Sequence, residues 1–261
     1  GGYVGFTGAA EGKLRLAGQV SSLGTFNCGV NSHVYFDGTS SQVIPGEASK
    51  GEQTFHNFTL SGSDKSLDDS DPANTFRFIG VLTFVSGDVI TNGMETRILS
   101  SPLGADNNNH IIGDVIYVSS STTACTVPIG PDGSLRQVVI EANETTATEY
   151  NVSFQAGSPG TIDWTTYATG VPISGPDVQY VNNDYYFNIT PDVQTPAKIT
   201  LDFAGLNIPG NQSDMYLMHW NGFEWEQLTP ISTTTTTVTA LATSFSPFGQ
   251  GSGGDPLPID L

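Results

Sequence analysis

Through the first half of the chain, apolar residues fall in short β-type runs. These are Leu14-Arg15-Leu16, His33-Val34-Tyr35-Phe36, Phe55 to Leu60, Thr75 to Val85 and His110 to Val118, each ended by Gly, Asn, Asp or Ser. No stretch sustains a 3.6-residue apolar period and the runs are too short for helices, so they predict strands. Phe78-Ile79-Gly80-Val81-Leu82-Thr83-Phe84-Val85-Ser86 aligns with Ile111-Ile112-Gly113-Asp114-Val115-Ile116-Tyr117-Val118-Ser119. The paired glycines stand 33 positions apart (113 − 80 = 33). A strand, a Gly that permits a sharp bend and a second strand make one coil of a β-solenoid, which buries its apolar face only by stacking.

Beyond Cys125 the runs lengthen and alternate more cleanly. In Lys198-Ile199-Thr200-Leu201-Asp202-Phe203, the residues Ile199, Leu201 and Phe203 share one side and the polar residues the other. That is the pattern of a half-buried antiparallel strand. Leu135 to Ala142, Glu149 to Gln155, Tyr185 to Thr190, Asp214 to Trp220 and Thr237 to Leu241 complete the count for a β-sandwich. Asn221-Gly222 predicts a two-residue hairpin turn, setting Trp220 opposite Phe223, Met218 opposite Trp225 and His219 opposite Glu224. Its aromatic face reads as core before it reads as a sugar platform. Gly249 to Pro258, rich in Gly, Ser and Pro, reads as a linker. The expected fold is all-β, with a β-solenoid over 1–125, an antiparallel β-sandwich over 126–249 and a linker over 250–261.

Charge narrows the function classes. There are 26 Asp+Glu against 8 Lys+Arg among 261 residues, a formal net charge of −18. Eight scattered cations supply no basic face for displacing counterions from nucleic acid or for holding an anionic membrane. Charged residues make up only 13% of the chain, which speaks against a surface of helices, and 10% aromatic content speaks against disorder. No apolar run approaches the ~18 residues of a membrane span. The N-terminus carries no signal peptide pattern. Cys28 and Cys125 are the two cysteines. With Cys28 placed before the first stacked strand and Cys125 after the last, the layers between them favour two buried thiols over a disulfide.

Candidate chemistry is sparse. Asp68, Asp69, Asp71 and Asn74, in the polar segment Ser61 to Asn74, offer clustered oxygens of the kind calcium takes, without the central Gly and final Glu of an EF-hand loop. A solvated acidic loop is the plainer reading. Asp106-Asn107-Asn108-Asn109 is a weaker oxygen-rich turn. His33, His56, His110 and His219 are isolated from one another, unlike a zinc set. No Gly-x-Ser-x-Gly elbow occurs, and neither cysteine has an activating His at a convincing spacing. Solenoid enzymes acting on polysaccharides need paired carboxylates or a basic side chain in a groove, and the cations here are scattered. Trp164 and Tyr167, in an expected loop, are candidate glycan contacts. The five Asn-x-Ser/Thr triplets read as chance in a Thr/Ser/Asn-rich chain.

One stretch carries a resemblance. Val34-Tyr35-Phe36-Asp37-Gly38-Thr39-Ser40-Ser41-Gln42-Val43-Ile44-Pro45-Gly46, followed by Phe55-His56-Asn57-Phe58-Thr59-Leu60, resembles a unit that recurs in large surface proteins exported by the type IX secretion system. Gly80 to Gly87 is similar to the unit that follows it there. Val127-Pro128-Ile129-Gly130, His219-Trp220-Asn221-Gly222 and Phe245-Ser246-Pro247-Phe248-Gly249 resemble the β-sandwich closing such proteins. Pro256 to Leu261 resembles the stretch before their C-terminal sorting domain. The resemblance implies export, an extracellular or cell-surface location, and attachment to the secretion machinery through a sorting domain absent from these residues. The shared positions are apolar, Gly or Pro, so it carries over no catalytic residue. The leading expectation is a non-enzymatic structural or adhesive segment without a cofactor. The alternative is a carbohydrate-binding module, calcium-assisted or not, that grips an extracellular glycan.

Overall fold

The computed structural model describes residues 12–23, 29–46, 52–143, 146–157, 159, 173–175, 177–178, 180–182, 184–204, 211–245 and 247–253, with backbone alone for 211–213. All regular elements among them are strands. The chain divides into two compact units: Gly1–Ser120 with Cys125–Gln137, and Ser121–Ala124 with Val138–Leu261.

In the first unit, consecutive strands fall on three faces in rotation. Face 1 holds β1 (Lys13–Leu16), β2 (His33–Phe36), β5 (Asn57–Leu60) and β8 (Leu82–Phe84). Face 2 holds β3 (Gln42–Ile44), β6 (Lys65–Leu67), β9 (Val89–Ile90), β11 (Ile111–Ile112) and β13 (Cys125–Ile129). Face 3 holds β4 (Gln53–Phe55), β7 (Thr75–Phe78), β10 (Glu95–Ile98) and β12 (Val115–Ser119). Pairing within each face is parallel, so the chain winds as a stacked β-solenoid. On face 1, Val34, Phe58 and Leu82 sit one above another at 24-residue steps. Later turns are shorter, with Asp88 and His110 22 apart and Gly80 and Ser100 20 apart.

The strand period of two sends alternate side chains inward, where they pack against one another within and between coils. Phe36 stacks on Phe58 with ring centroids 5.4 Å apart, and Phe55 stacks on Phe78 at 5.5 Å. Phe58 also meets Phe55 and Phe78 edge-on, at 4.8 and 5.1 Å. All four rings are essentially without solvent contact. Each such pair contributes about 0.5–1.5 kcal/mol beyond the area it buries. The corners are closed by backbone contact and by buried polar side chains. Gly62, at φ +87°, lies so close to the coil below that a Cβ would stand 2.1 Å from the Gly38 carbonyl oxygen. Buried Gln42 accepts from the Gly38 amide at 2.9 Å and donates to the Leu16 and Gly18 carbonyls. One step above it, the buried Lys65 ammonium donates to the Gly38 and Ser63 carbonyls.

Two features differ from expectation. Gly80 lies at a corner from face 3 to face 1, whereas Gly113 lies at a corner from face 2 to face 3. The 33-residue alignment therefore matches two different corners. Every corner needs the same strand–bend–strand chemistry, which makes them look alike locally. In addition, β1 stacks on β2 from Lys13↔His33 to Leu16↔Phe36, so stacking begins before Cys28 rather than after it. Cys28 itself lies outside the described residues. Cys125 is a free, buried thiol.

The second unit is antiparallel almost throughout. One sheet runs in the order β16 (Ile173–Ser174), β21 (Trp225–Gln227), β20 (Asn211–Trp220), β24 (Pro247–Gly253), β18 (Tyr185–Pro191) and β15 (Thr148–Ala156), with β17 (Tyr180–Val181) also on β24. Only β16 on β21 is parallel. The other sheet is β22 (Pro230–Thr233), β23 (Thr237–Ala242), β19 (Ala197–Asp202) and β14 (Arg136–Ala142). Ile199 and Leu201 are buried on β19, as the alternation predicts.

The β20–β21 connection is a four-residue loop, not a two-residue turn. Trp220 pairs with Trp225, His219 with Glu226 and Met218 with Gln227. Asn221 closes the loop by accepting from the Phe223 and Glu224 amides at 2.9 and 3.0 Å. This register buries both tryptophans edge-to-face at 5.6 Å and leaves Phe223 84% exposed. The linker expected over 250–261 also begins later. Gln250 to Gly253 form the buried end of β24, where the absence of side chains lets Met218 and Tyr216 lie against Gly251 and Gly253. Residues 254–261 lie outside the described set.

Candidate ligand-binding face of the solenoid

Strand alternation that buries Val34 and Phe36 turns His33 and Tyr35 outward, and the neighbouring strand exposes Lys13 and Arg15. Parallel register then builds columns across the coils. Lys13, His33 and Asn57 form one, and Arg15, Tyr35 and Thr59 the next. A polar cradle of about 280 Å³ opens on this surface, lined by Lys13, Asn31, His33, Tyr35 and Asn57. In a chain with 26 acidic residues, the described residues of this lining include a lysine and no carboxylate.

The cradle wall is held from several sides. His33 shares a 2.7 Å hydrogen bond with Thr59 through Nε2. The His33 and Tyr35 rings stack with centroids 4.2 Å apart and planes within 10°. The Arg15 guanidinium lies 5.0 Å from the Tyr35 centroid and donates to Asp37 Oδ2 at 2.7–2.8 Å. Burial, then the charge of Lys13, hold the His33 imidazole below its ordinary value. The shift favours the neutral imidazole, which stands in the wall beside Lys13.

A second polar cluster lies at the corner leading into face 2. The Asp64 carboxylate accepts from the Asp88 amide at 3.0 Å, and the Asp88 carboxylate accepts from the His110 amide at 2.7 Å. The His110 ring, without solvent contact, places Nδ1 3.2 Å from Asp88 Oδ1 and Nε2 2.9 Å from the Pro131 carbonyl oxygen. Burial pushes the Asp88 carboxyl up, more than the His110 amide and ring pull it down. The pair ties successive coils together and is almost entirely buried, which suits a structural role.

Of the expected calcium ligands, Asp68, Asp71 and Asn74 make local hydrogen bonds. Asp68 accepts from the Gly46 amide at 3.2 Å and the Ser70 amide at 3.0 Å, and Asp71 accepts from the Ala73 amide at 2.9 Å. Buried Asn74 donates to the Asp68 carbonyl at 3.0 Å, and Asp69 is exposed. Burial raises the Asp68 carboxyl, but hydrogen bonds from Ser70 and Gly46 outweigh it and leave the group below its ordinary value. Among the described residues, no three His, Cys, Asp or Glu side chains gather as a metal-holding group. Asp106 accepts from the Asn108 amide and the Asn109 side chain, while Asn107 accepts from the Leu135 amide. Trp164 and Tyr167 lie outside the described residues. Burial pushes the Cys125 thiol up to about 12, far from a nucleophile's range.

Lys13, Arg15, Asn31, Tyr35 and Asn57 were not among the residues singled out for ligand contact. Their signal is the outward position of a strand repeated at coil spacing, which is readable only after the coil length is known. Comparisons with protein-family profiles, with curated proteins and with solved structures found no match.

Proposed function

We propose that this chain is a non-catalytic structural or adhesive segment of a secreted cell-surface protein, in which the solenoid is a stiff spacer. The observation that supports it most is the parallel register running unbroken from β1 to β8 on face 1. Backbone hydrogen bonds and corner contacts tie coil to coil, and stacked phenylalanines join β2 to β5 and β4 to β7. Bending such a stack strains all three faces together, a property that a spacer needs.

The second unit completes this reading as a β-sandwich. Its two antiparallel sheets each bury alternate residues, seen in Val138, Ile140 and Ala142 on β14 and in Tyr185, Phe187 and Ile189 on β18. Two one-sided apolar sheets are covered most economically by each other. The resemblance to type IX secretion cargo supplies the route, and the excess negative charge suits a soluble extracellular surface.

Protease treatment of intact source cells tests the proposal. Peptides from this chain released without lysis support surface display, and their recovery only from the cytoplasmic fraction after lysis overturns it.

A further inference from the structure

We propose that the cradle on face 1 binds an acidic glycan, taking the carboxylate of a uronate residue on Lys13 and its hydroxyls on Asn31, His33 and Asn57. This goes beyond the spacer reading, which stands whether or not the cradle is occupied.

The ligand class follows from the lining. Among the described lining residues no aliphatic side chain occurs, so a hydrophobic ligand finds little to desolvate against. With no carboxylate among the described lining residues, those residues give a metal cation no hard anionic ligand. A neutral sugar would be held chiefly by stacking on an aromatic face, but Tyr35 already has His33 at 4.2 Å and the Arg15 guanidinium at 5.0 Å. What the cradle offers is one positive charge ringed by amide, imidazole and phenol groups. A ligand matching it has one negative group and several hydroxyls on a compact ring. The volume of about 280 Å³ suits one sugar residue better than an extended chain, so the flanking residues of a polymer would lie along the open strand face.

The position also fits. Lys13 and Arg15 are adjacent outward residues of β1, two of only eight cations in the chain. Asp37, the described acid that follows β2, is already engaged by Arg15. The overall charge of −18 repels polyanions at long range, so binding should be modest and should weaken with salt. Occupation has a spectroscopic consequence as well. A carboxylate placed beside His33 offsets the influence of Lys13, so bound ligand raises the pH at which the imidazole takes up its proton.

Isothermal titration of the full chain with trisaccharides of galacturonate, glucuronate and mannuronate tests the proposal, with the methyl-esterified trisaccharides and sodium acetate as controls. At least one uronate trisaccharide should bind saturably. Its methyl ester and the Lys13→Met variant should each weaken binding by about tenfold or more, and the His33 ring signals should titrate at higher pH when ligand is present. Lys13 is exposed, so an unchanged circular dichroism spectrum should show that Lys13→Met folds normally. Three outcomes overturn the proposal: no binding of any uronate at millimolar concentration, equal binding of ester and acid, or an unaffected Lys13→Met. Acetate competing as well as the trisaccharide would reduce the site to a bare carboxylate contact and overturn the glycan assignment too.

Discussion

Replacing Gly62 by Ala separates the two demands that a corner makes on its glycine. Gly62 has φ +87°, and a Cβ there would meet the Gly38 carbonyl oxygen at 2.1 Å and its carbon at 2.8 Å, both backbone atoms of the neighbouring coil. Gly93 has a similar φ of +77°, but a Cβ there would meet nothing within 4 Å. Both substitutions force Ala into the left-handed region, at about 1–2 kcal/mol. Both recover about 0.4–1 kcal/mol by restricting the unfolded chain. Gly93→Ala should therefore destabilise by at most about 1.6 kcal/mol. Gly62→Ala must also push two coils apart, adding about 1–3 kcal/mol for overpacking. It also weakens the 3.2 Å bond from the Ser63 amide to the Gly38 carbonyl, worth about 1 kcal/mol. The expected difference between the variants is about 2–4 kcal/mol. Urea unfolding gives the global values, and native-state hydrogen exchange at the Phe36 and Leu60 amides gives the local ones. Equal shifts for the two variants would refute the close approach of successive coils.

The corner cluster should be costly to break. His110→Ala leaves the Asp88 carboxylate and the Pro131 carbonyl without their ring partner, at about 1–3 kcal/mol, and a loss below about 0.5 kcal/mol in urea unfolding would argue against the contact. Asp68 should contribute to acid stability. Its folded value lies below the ordinary one, so its contribution is fully present above the unfolded value of about 3.9 and is lost as pH falls through the lowered folded value. Asp68→Asn should remove that contribution at neutral pH and flatten the acid limb of the unfolding curve, whereas an unchanged limb would show that the hydrogen bonds from Ser70 and Gly46 do not favour the anion. In a Cys28→Ser background, Cys125 should resist a thiol reagent at pH 8 until the protein is unfolded, because burial holds the thiol near 12. Rapid labelling of the native protein would contradict that burial.

The elements were more legible than their arrangement. Strand positions follow from local alternation, as in His33 to Phe36, where His33 and Tyr35 face out and Val34 and Phe36 face in. Stacking follows from the need to cover such short one-sided strands. Phase is different, because which corner a glycine occupies depends on pairings about 20–24 residues away, and Gly80 and Gly113 look alike without being equivalent. Buried polar residues were hidden for the same reason. Gln42 and Lys65 begin face 2 strands as ordinary polar residues, yet both fold inward because the corner carbonyls of Leu16, Gly18, Gly38 and Ser63 need donors. At the Asn221-Gly222 loop, burial of Trp220 against Trp225 outweighed the local preference for a two-residue turn. The cradle was invisible for a related reason, since its residues come from three coils and converge only through parallel register.

Register on face 1 is open to a direct distance measurement. Arg15, Tyr35, Thr59, Thr83 and Leu103 form one column, each paired in parallel with the next. Four steps of about 4.8 Å place the backbones of Arg15 and Leu103 about 19 Å apart. Spin labels on Arg15→Cys and Leu103→Cys in the Cys28→Ser background, read by double electron–electron resonance, should give one narrow distribution near that distance after allowance for the label arms. A broad distribution, or one centred beyond about 30 Å, would contradict a stacked solenoid.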